Sequence, residues 1–423
     1  MTATLLLAML QATAQVPPEL IALSRIKHQM SQNLARLPNF ICQAEIHRDE
    51  RLRAGQPFTT RDTVRLEVAH AGERELYGWP GGGRMEDKDI RQLVGDGLVS
   101  TGDFSLFATS IFDSAAPTYH FEGEEEVLAR RARRYSYQVS LLSSGYWVSV
   151  GTQEAKVAYR GSFWADVENN DVLRLTVTAD DLPSHLGMSS VLRTITYHKT
   201  PIGRSEYLLP SEAIIEVERR NGTASRNRTV FTACRQFTAE TALRFDVTEV
   251  EAAAAPPRLE GLAASPAPPA LRIPEGLELT VQFDTNVDPE SASAGDPLTG
   301  RLTKDVRLEG KLLFAKGTEV RAHLVSGRRL VRKEQHPQPQ LLGSLPSTAI
   351  RREEIREYEL QVQLQEIAVG AQRVPVSARL TGIAGKSRGR LMAAPANTLL
   401  MPAKNFRFAG TTLVFTTLRR RDR

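Results

Sequence analysis

Lys156-Val157-Ala158-Tyr159-Arg160-Gly161-Ser162-Phe163-Trp164-Ala165-Asp166-Val167 decides how the rest of the chain is read. Val157, Tyr159, Phe163, Ala165 and Val167 share one parity with Gly161. Lys156, Arg160, Ser162 and Asp166 share the other, with Trp164 among them. Successive side chains in a strand point to opposite faces, so the pattern predicts a half-buried β-strand. Glu168-Asn169-Asn170-Asp171 supplies a polar turn. From Val172 to Asp180, Leu173, Leu175, Val177 and Ala179 again oppose Arg174, Thr176, Thr178 and Asp180. A third strand is expected over Val191 to Lys199, turning at Pro201-Ile202-Gly203. A fourth covers Glu206 to Glu218, with a break at Pro210, which cannot donate to a ladder. Asn221-Gly222 is a hairpin signal, and a fifth strand follows from Thr229 to Phe237. The expectation is an antiparallel meander with one apolar face that helices or a ligand must cover.

Upstream, Met1 to Ala14 is short and apolar and ends in Ala12-Thr13-Ala14, an A-x-A pattern expected of a cleaved signal peptide, although the basic n-region is missing. No later stretch approaches the roughly 18–20 uninterrupted apolar residues of a membrane helix, so none is expected. The mature chain is therefore read as periplasmic or secreted. Pro17-Pro18-Glu19 opens a helix, and Leu20, Leu23, Ile26, Met30 and Leu34 give it an apolar stripe that ends before Pro38. Phe40 to Arg53 and Arg61 to Trp79 read as the first two strands. The glycine run after Pro80 lacks the flanking signals of a phosphate loop and reads as a flexible loop. Phe104, Phe107, Ile111 and Phe112 form a short second helix, expected to be capped by Asp103. Tyr119 to Leu142 reads as a strand pair in which Glu124–Glu126 can face Arg130–Arg134.

The chain has two cysteines, Cys42 and Cys234, each inside an expected strand. In an oxidising compartment a single pair is a disulfide candidate, closing a loop of about 190 residues worth up to ~4–5 kcal/mol. Two separate buried thiols are the alternative.

Gly161-Ser162-Phe163-Trp164-Ala165-Asp166, followed by Asp171-Val172-Leu173-Arg174-Leu175, resembles the G-x-x-W-x-D and L-R strand pair of lipoprotein-carrier-like periplasmic proteins, the LolA/LolB-like fold. Tyr197, Ile202-Gly203 and Tyr207-Leu208-Leu209-Pro210 fit the strands that follow, as in similar secreted proteins of soil bacteria. The resemblance covers residues 17–246. It implies a curved antiparallel sheet, or half-barrel, with helices in its concavity, where the best-known members shelter acyl chains. The long insertion over Gly81–Phe112 departs from that pattern.

Val247 to Ala270 is rich in Ala, Pro, Gly and Glu, and 247–271 reads as an interdomain linker. Beyond it come short alternating strands: Leu277 to Phe283, Leu298–Val306, Gly310–Phe314, Thr318–Val325, a hairpin of Tyr358–Ile367 with Gln372–Gly382, and Thr411–Leu418. A Pro-, Gln- and Arg-rich loop is expected over 329–354, and Pro395–Pro402 also reads as loop. The P-E-G, A-x-x-G-D-P and K-G-T spacing over about 272–385, within a small β-barrel domain expected over 272–418, resembles the small β-barrel of the outer-membrane-pore component of type IV secretion systems, which implies a binding or assembly module. Residues 419–423 form a basic tail. The expected fold is thus mainly β with few helices, a helix-covered half-barrel sheet followed by a second small β-barrel.

Functional chemistry is sparse. None of the eight histidines stands in a metal-binding spacing, and no G-x-S-x-G elbow occurs. Asp180, Asp181, His185 and nearby serines read as a polar loop, and Glu45 with Asp49 lacks an acid/base context. The chain is read as a non-enzyme without cofactor or metal. The net charge of +5 is concentrated toward the C-terminus, and no nucleic-acid-binding signature accompanies it. Two roles follow. In one, Tyr159, Phe163, Leu175 and Tyr197 face Phe107 and Phe112 around a lipid or other apolar ligand, or else those residues pack directly on the helices. In the other, the chain is an envelope scaffold whose basic C-terminal domain docks to a protein partner or cell-wall polymer.

Overall fold

The computed structural model describes residues 16–419 apart from 237–272, 333–353 and the short stretches 73, 82–84, 86–89, 95–97, 99–101, 290, 371, 388 and 393–396. The signal peptide, the linker and most of the glycine run and basic tail expected from the sequence lie outside the described residues. Helix α1 spans Pro18–Ala35, α2 Ile90–Val94 and α3 Leu106–Phe112. The first strands are β1 (Phe40–Arg51), β2 (Thr59–Ala71), β3 (Arg74–Gly78), β4 (Thr118–Val127), β5 (Arg130–Val139), β6 (Trp147–Val150) and β7 (Gln153–Lys156). The meander follows as β8 (Tyr159–Asp166), β9 (Val172–Ala179), β10 (Met188–Ile202), β11 (Ser205–Arg219) and β12 (Ala224–Gln236). These build a ten-stranded antiparallel sheet in the order β3-β2-β1-β12-β11-β10-β9-β8-β5-β4, with β6 and β7 as a separate hairpin.

The expected alternation is realised in β9 from Leu175 to Ala179, and Leu175 stands opposite Phe163 of β8, both fully buried. In β8 itself Ser162, Trp164 and Asp166 of the other parity are buried as well, so that strand is covered on both faces. Three local readings are corrected. First, β11 runs through Pro210 without a break: Thr196 pairs with Glu212 and Tyr197 with Pro210, so a bulge there absorbs the missing donor. Second, Ser105, not Asp103, is the residue preceding α3, and it makes no side-chain cap; Asp103 pairs elsewhere. Third, Arg61 to Trp79 is two strands, folded back at Gly72, whose φ of +63° suits glycine.

The later strands are β13 (Glu278–Phe283), β14 (Pro297–Leu302), β15 (Val306–Leu308), β16 (Lys311–Phe314), β17 (Glu319–Arg332) and β18 (Glu354–Val369). Then come β19 (Gln372–Pro375), β20 (Ala378–Ala384), β21 (Arg390–Leu391), β22 (Thr398–Pro402) and β23 (Thr412–Thr417). Apart from β15 and β16, which pair as a separate hairpin, they form a nearly closed, barrel-like sheet in the order β20-β23-β13-β14-β17-β18-β22-β21, with β19 on β18. Pro395–Pro402 is therefore not all loop. Leu399, Leu400 and Met401 are all buried in β22, and a strand covered on both faces shows no alternation. The expected 358–382 hairpin stops at Pro375, because Ala378–Ala384 pairs with β23. β17 and β18 extend into the ends of the loop read as 329–354, whose remainder, 333–353, lies outside the described residues.

By packing, the chain divides into two compact units. Unit 1 holds residues 1–38, 52–54 and 100–226; unit 2 holds 39–51, 55–99 and 227–423. Within unit 2 the turn 291–296 covers the part of β2 that β3 does not pair. Arg65 N donates to Ala294 O at 2.6 Å, Ala294 N donates to Thr63 O at 2.9 Å, and Arg65 bridges Glu45 and Asp296. An otherwise open strand edge is thereby closed. The Arg65 hydrogen bond holds the Glu45 carboxyl below its ordinary pKa.

His323 on β17 stacks on Trp79 with ring centroids 4.4 Å apart. It is buried, and neither ring nitrogen has a partner among the described residues. Burial pushes its pKa down to about 3. The unfolded chain takes up this proton near pH 6.5 and the folded chain only near 3, so stability must fall as pH drops through that window. Going from pH 7 to pH 5 should remove about 2 kcal/mol through this group. Urea unfolding of wild type and His323→Leu at both pH values checks it. Equal losses in the two proteins would mean that His323 does not contribute.

Candidate ligand-binding face

Unit 1 places α1 and α3 over the inner face of β5, β8, β9 and β10. Phe163 is the centre. Tyr135 stacks on it at 5.2 Å, Phe112 meets it edge-on at 4.9 Å, and Tyr119 approaches edge-on at 6.2 Å. Phenols then fix the helices. Tyr135 Oη donates to Glu19 O of α1 at 2.7 Å, Tyr119 Oη donates to Ile111 O, and Tyr159 Oη bonds Ser110 Oγ at 3.0 Å. Burial pushes the Tyr119, Tyr135, Tyr137, Tyr146 and Tyr159 hydroxyls up from their usual pKa, so all remain neutral donors.

The six residues named from the sequence, Tyr159, Phe163, Leu175, Tyr197, Phe107 and Phe112, are all buried on this side, none more than 4% exposed. Phe112 touches Phe163 directly, while Phe107 and Tyr159 each meet the ring of Tyr146. In this structure the strands and helices pack against each other through them. The sequence reading missed Tyr135 and Tyr146, which complete the aromatic cluster, and Arg193 with Asp103, a buried ion pair at its side. Arg193 left a signal, being a charge on the parity of Val191 and Ile195.

Two recesses flank this interior. One, about 230 Å³, lies beside α1 between Gln29, Asn33, Asp171, Lys199 and Leu208. It is occupied by a polar network, with Gln29 Nε2 donating to Asp171 Oδ1 at 2.6 Å and Lys199 paired to Asp171 at 2.9 Å. Asn33 also pins α1 to β11, donating to Leu208 O and accepting from Leu208 N, both at 2.9 Å. The other is an open groove of about 460 Å³ over β4, β5, β8 and β9, lined by His120, Arg134, Ser136, Arg160, Ser162 and Thr176. On that side Trp164 lies between Arg134 and Arg174, 5.4 and 5.9 Å from its ring centre.

No family model matches this chain, and no curated protein does. Among solved structures, it is similar to a putative outer membrane lipoprotein-sorting protein domain from Vibrio parahaemolyticus, at 12% identity over 51% of this chain and 92% of that chain, with a TM-score of 0.30. It is also similar to a DUF1329 family protein from Desulfovibrio piger, at 13% identity over 52% of this chain and 93% of that one, with a TM-score of 0.28. Likenesses of this degree carry no argument about ligand or activity. The type IV secretion resemblance of residues 272–385 finds no support in these comparisons.

Proposed function

We propose that this chain is a non-catalytic protein of the cell envelope that takes an apolar ligand, an acyl chain or lipid, into the helix-covered face of its first sheet. The observation that carries this reading is the aromatic interior closed by α3, a helix of only seven residues. So short a helix has no independent stability and is held by its contacts with the sheet. Lifting it opens a ready-made apolar groove without disturbing the strands. The side chains that a ligand would touch are those now packed against Phe107 and Phe112. The Cys42–Cys234 disulfide supports an oxidising, extracytoplasmic location.

Because the closed state is filled, a ligand must meet the free energy of opening, and apparent affinity falls by the fraction of open molecules. Binding in the micromolar range is expected for a fluorescent long-chain acyl probe, with a stoichiometry of one per chain. Organic extraction of the purified protein followed by lipid mass spectrometry should recover the natural occupant. No extractable lipid together with no probe uptake would rule the reading out.

A further inference from the structure

Arg193 does not belong on an oily surface. It sits on β10 between Val191 and Ile195, inside the same interior, and is 3% exposed. Among the described residues of unit 1 it is the one buried basic side chain. Its guanidinium pairs with the buried carboxylate of Asp103 and lies 4.6 Å from the ring centre of Phe107, whose other neighbour is the ring of Tyr146, 5.2 Å away. Four residues along the strand, the buried Tyr197 hydroxyl has no partner among the described residues.

A buried ion pair seldom stabilises a fold more than the apolar residues that could replace it. A buried hydroxyl left unpaired is unfavourable by about 1–3 kcal/mol. Two such breaches of the apolar pattern, on one face of one strand, are what a site for a polar group looks like. The guanidinium and two phenols lie next to a surface that suits a hydrocarbon chain. Asp103 supplies one carboxylate to this cluster from outside α3, so releasing it breaks no helical hydrogen bond.

We propose that Arg193, with the Tyr146 and Tyr197 hydroxyls, anchors the anionic head of a single-chain amphiphile whose tail runs along Tyr159, Phe163 and Leu175, and that Asp103 holds the place of that head until the ligand displaces it. This rests on the apolar-ligand reading above and specifies its chemistry. Exchange of one carboxylate for another keeps the interior neutral, so the guanidinium is never left buried and unpaired. The head group gains a second donor in Tyr197, which Asp103 leaves unused.

The test compares palmitic acid with 1-hexadecanol, which share a chain and differ in charge, as competitors for a fluorescent acyl probe on the full-length protein. The acid should bind about ten- to a hundredfold more tightly than the alcohol, the range of a charge-assisted hydrogen bond. Asp103→Asn, which removes the competing charge, should raise the affinity for the acid severalfold. Arg193→Met should collapse the acid-to-alcohol ratio to within about twofold; if that variant does not fold, the wild-type ratio and Asp103→Asn decide. Equal affinities in the wild type overturn the anchor and leave the apolar-ligand reading standing. Binding of neither compound overturns both.

Discussion

Replacing Cys42 and Cys234 together by alanine should lower the thermal unfolding midpoint by roughly 10 °C or more, a loss of ~4–5 kcal/mol. The two cysteines are bonded and lie on β1 and β12, neighbouring strands of the ten-stranded sheet that are 192 residues apart in sequence. Nothing short-range holds β12 beside β1. In the unfolded chain the crosslink removes the freedom of everything between them, and loop-closure entropy grows with loop length. Wild-type protein in strong reductant should unfold at the same temperature as the double variant. A double variant as stable as oxidised wild type would show that strand pairing alone fixes the closure. The same argument predicts that protein produced in a reducing cytosol gains stability on oxidation.

Much of this architecture was written locally. Period-two alternation placed the meander, and Pro17-Pro18-Glu19 and Pro38 bracketed α1. Counting two cysteines sufficed to propose their pairing. What escaped depends on partners distant in sequence. Leu173 shares the parity of Leu175, yet it falls at the register shift where Trp164 pairs with Arg174 and Ala165 with Val172, and it packs beside Trp164. Trp164 itself reads as an outward anomaly until Arg134 and Arg174 are seen to enclose it. Pro210 breaks a strand only if no bulge lies opposite. The candidate site shows the same division. Alternation and aromatic content found six residues that share an interior, but whether their rings leave space between them depends on Tyr135 and Tyr146, which arrive from other segments. The inward charge of Arg193 was legible; its partner, 90 residues earlier, was not.

Gly161→Ala should be among the most damaging single substitutions in unit 1. A β-carbon at this position would lie 1.9 Å from the Thr176 carbonyl oxygen and 2.7 Å from the Tyr137 hydroxyl. Neither can yield freely. Thr176 belongs to the neighbouring strand, and Tyr137, paired across β5 with Gly161, donates to that same carbonyl at 2.7 Å. The phenol passes over the glycine to reach backbone that the ladder leaves open, while Ser162 N turns to Thr176 Oγ1 at 2.9 Å. A methyl group must therefore separate β8 from β9 or expel the phenol, leaving a buried carbonyl without its donor. Either course costs about 3 kcal/mol or more, beyond ordinary overpacking. Gly145→Ala, at a site with open space around it, should change stability by less than about 0.5 kcal/mol. Tyr137→Phe separates the two effects: it removes the hydrogen bond without the clash and should cost about 1–2 kcal/mol. Urea unfolding of the three variants gives the order Gly161→Ala, Tyr137→Phe, Gly145→Ala. If Gly161→Ala proves as mild as Gly145→Ala, β8 and β9 do not approach as closely as the structure has them, and the inner face that holds Phe163 opposite Leu175 is built differently.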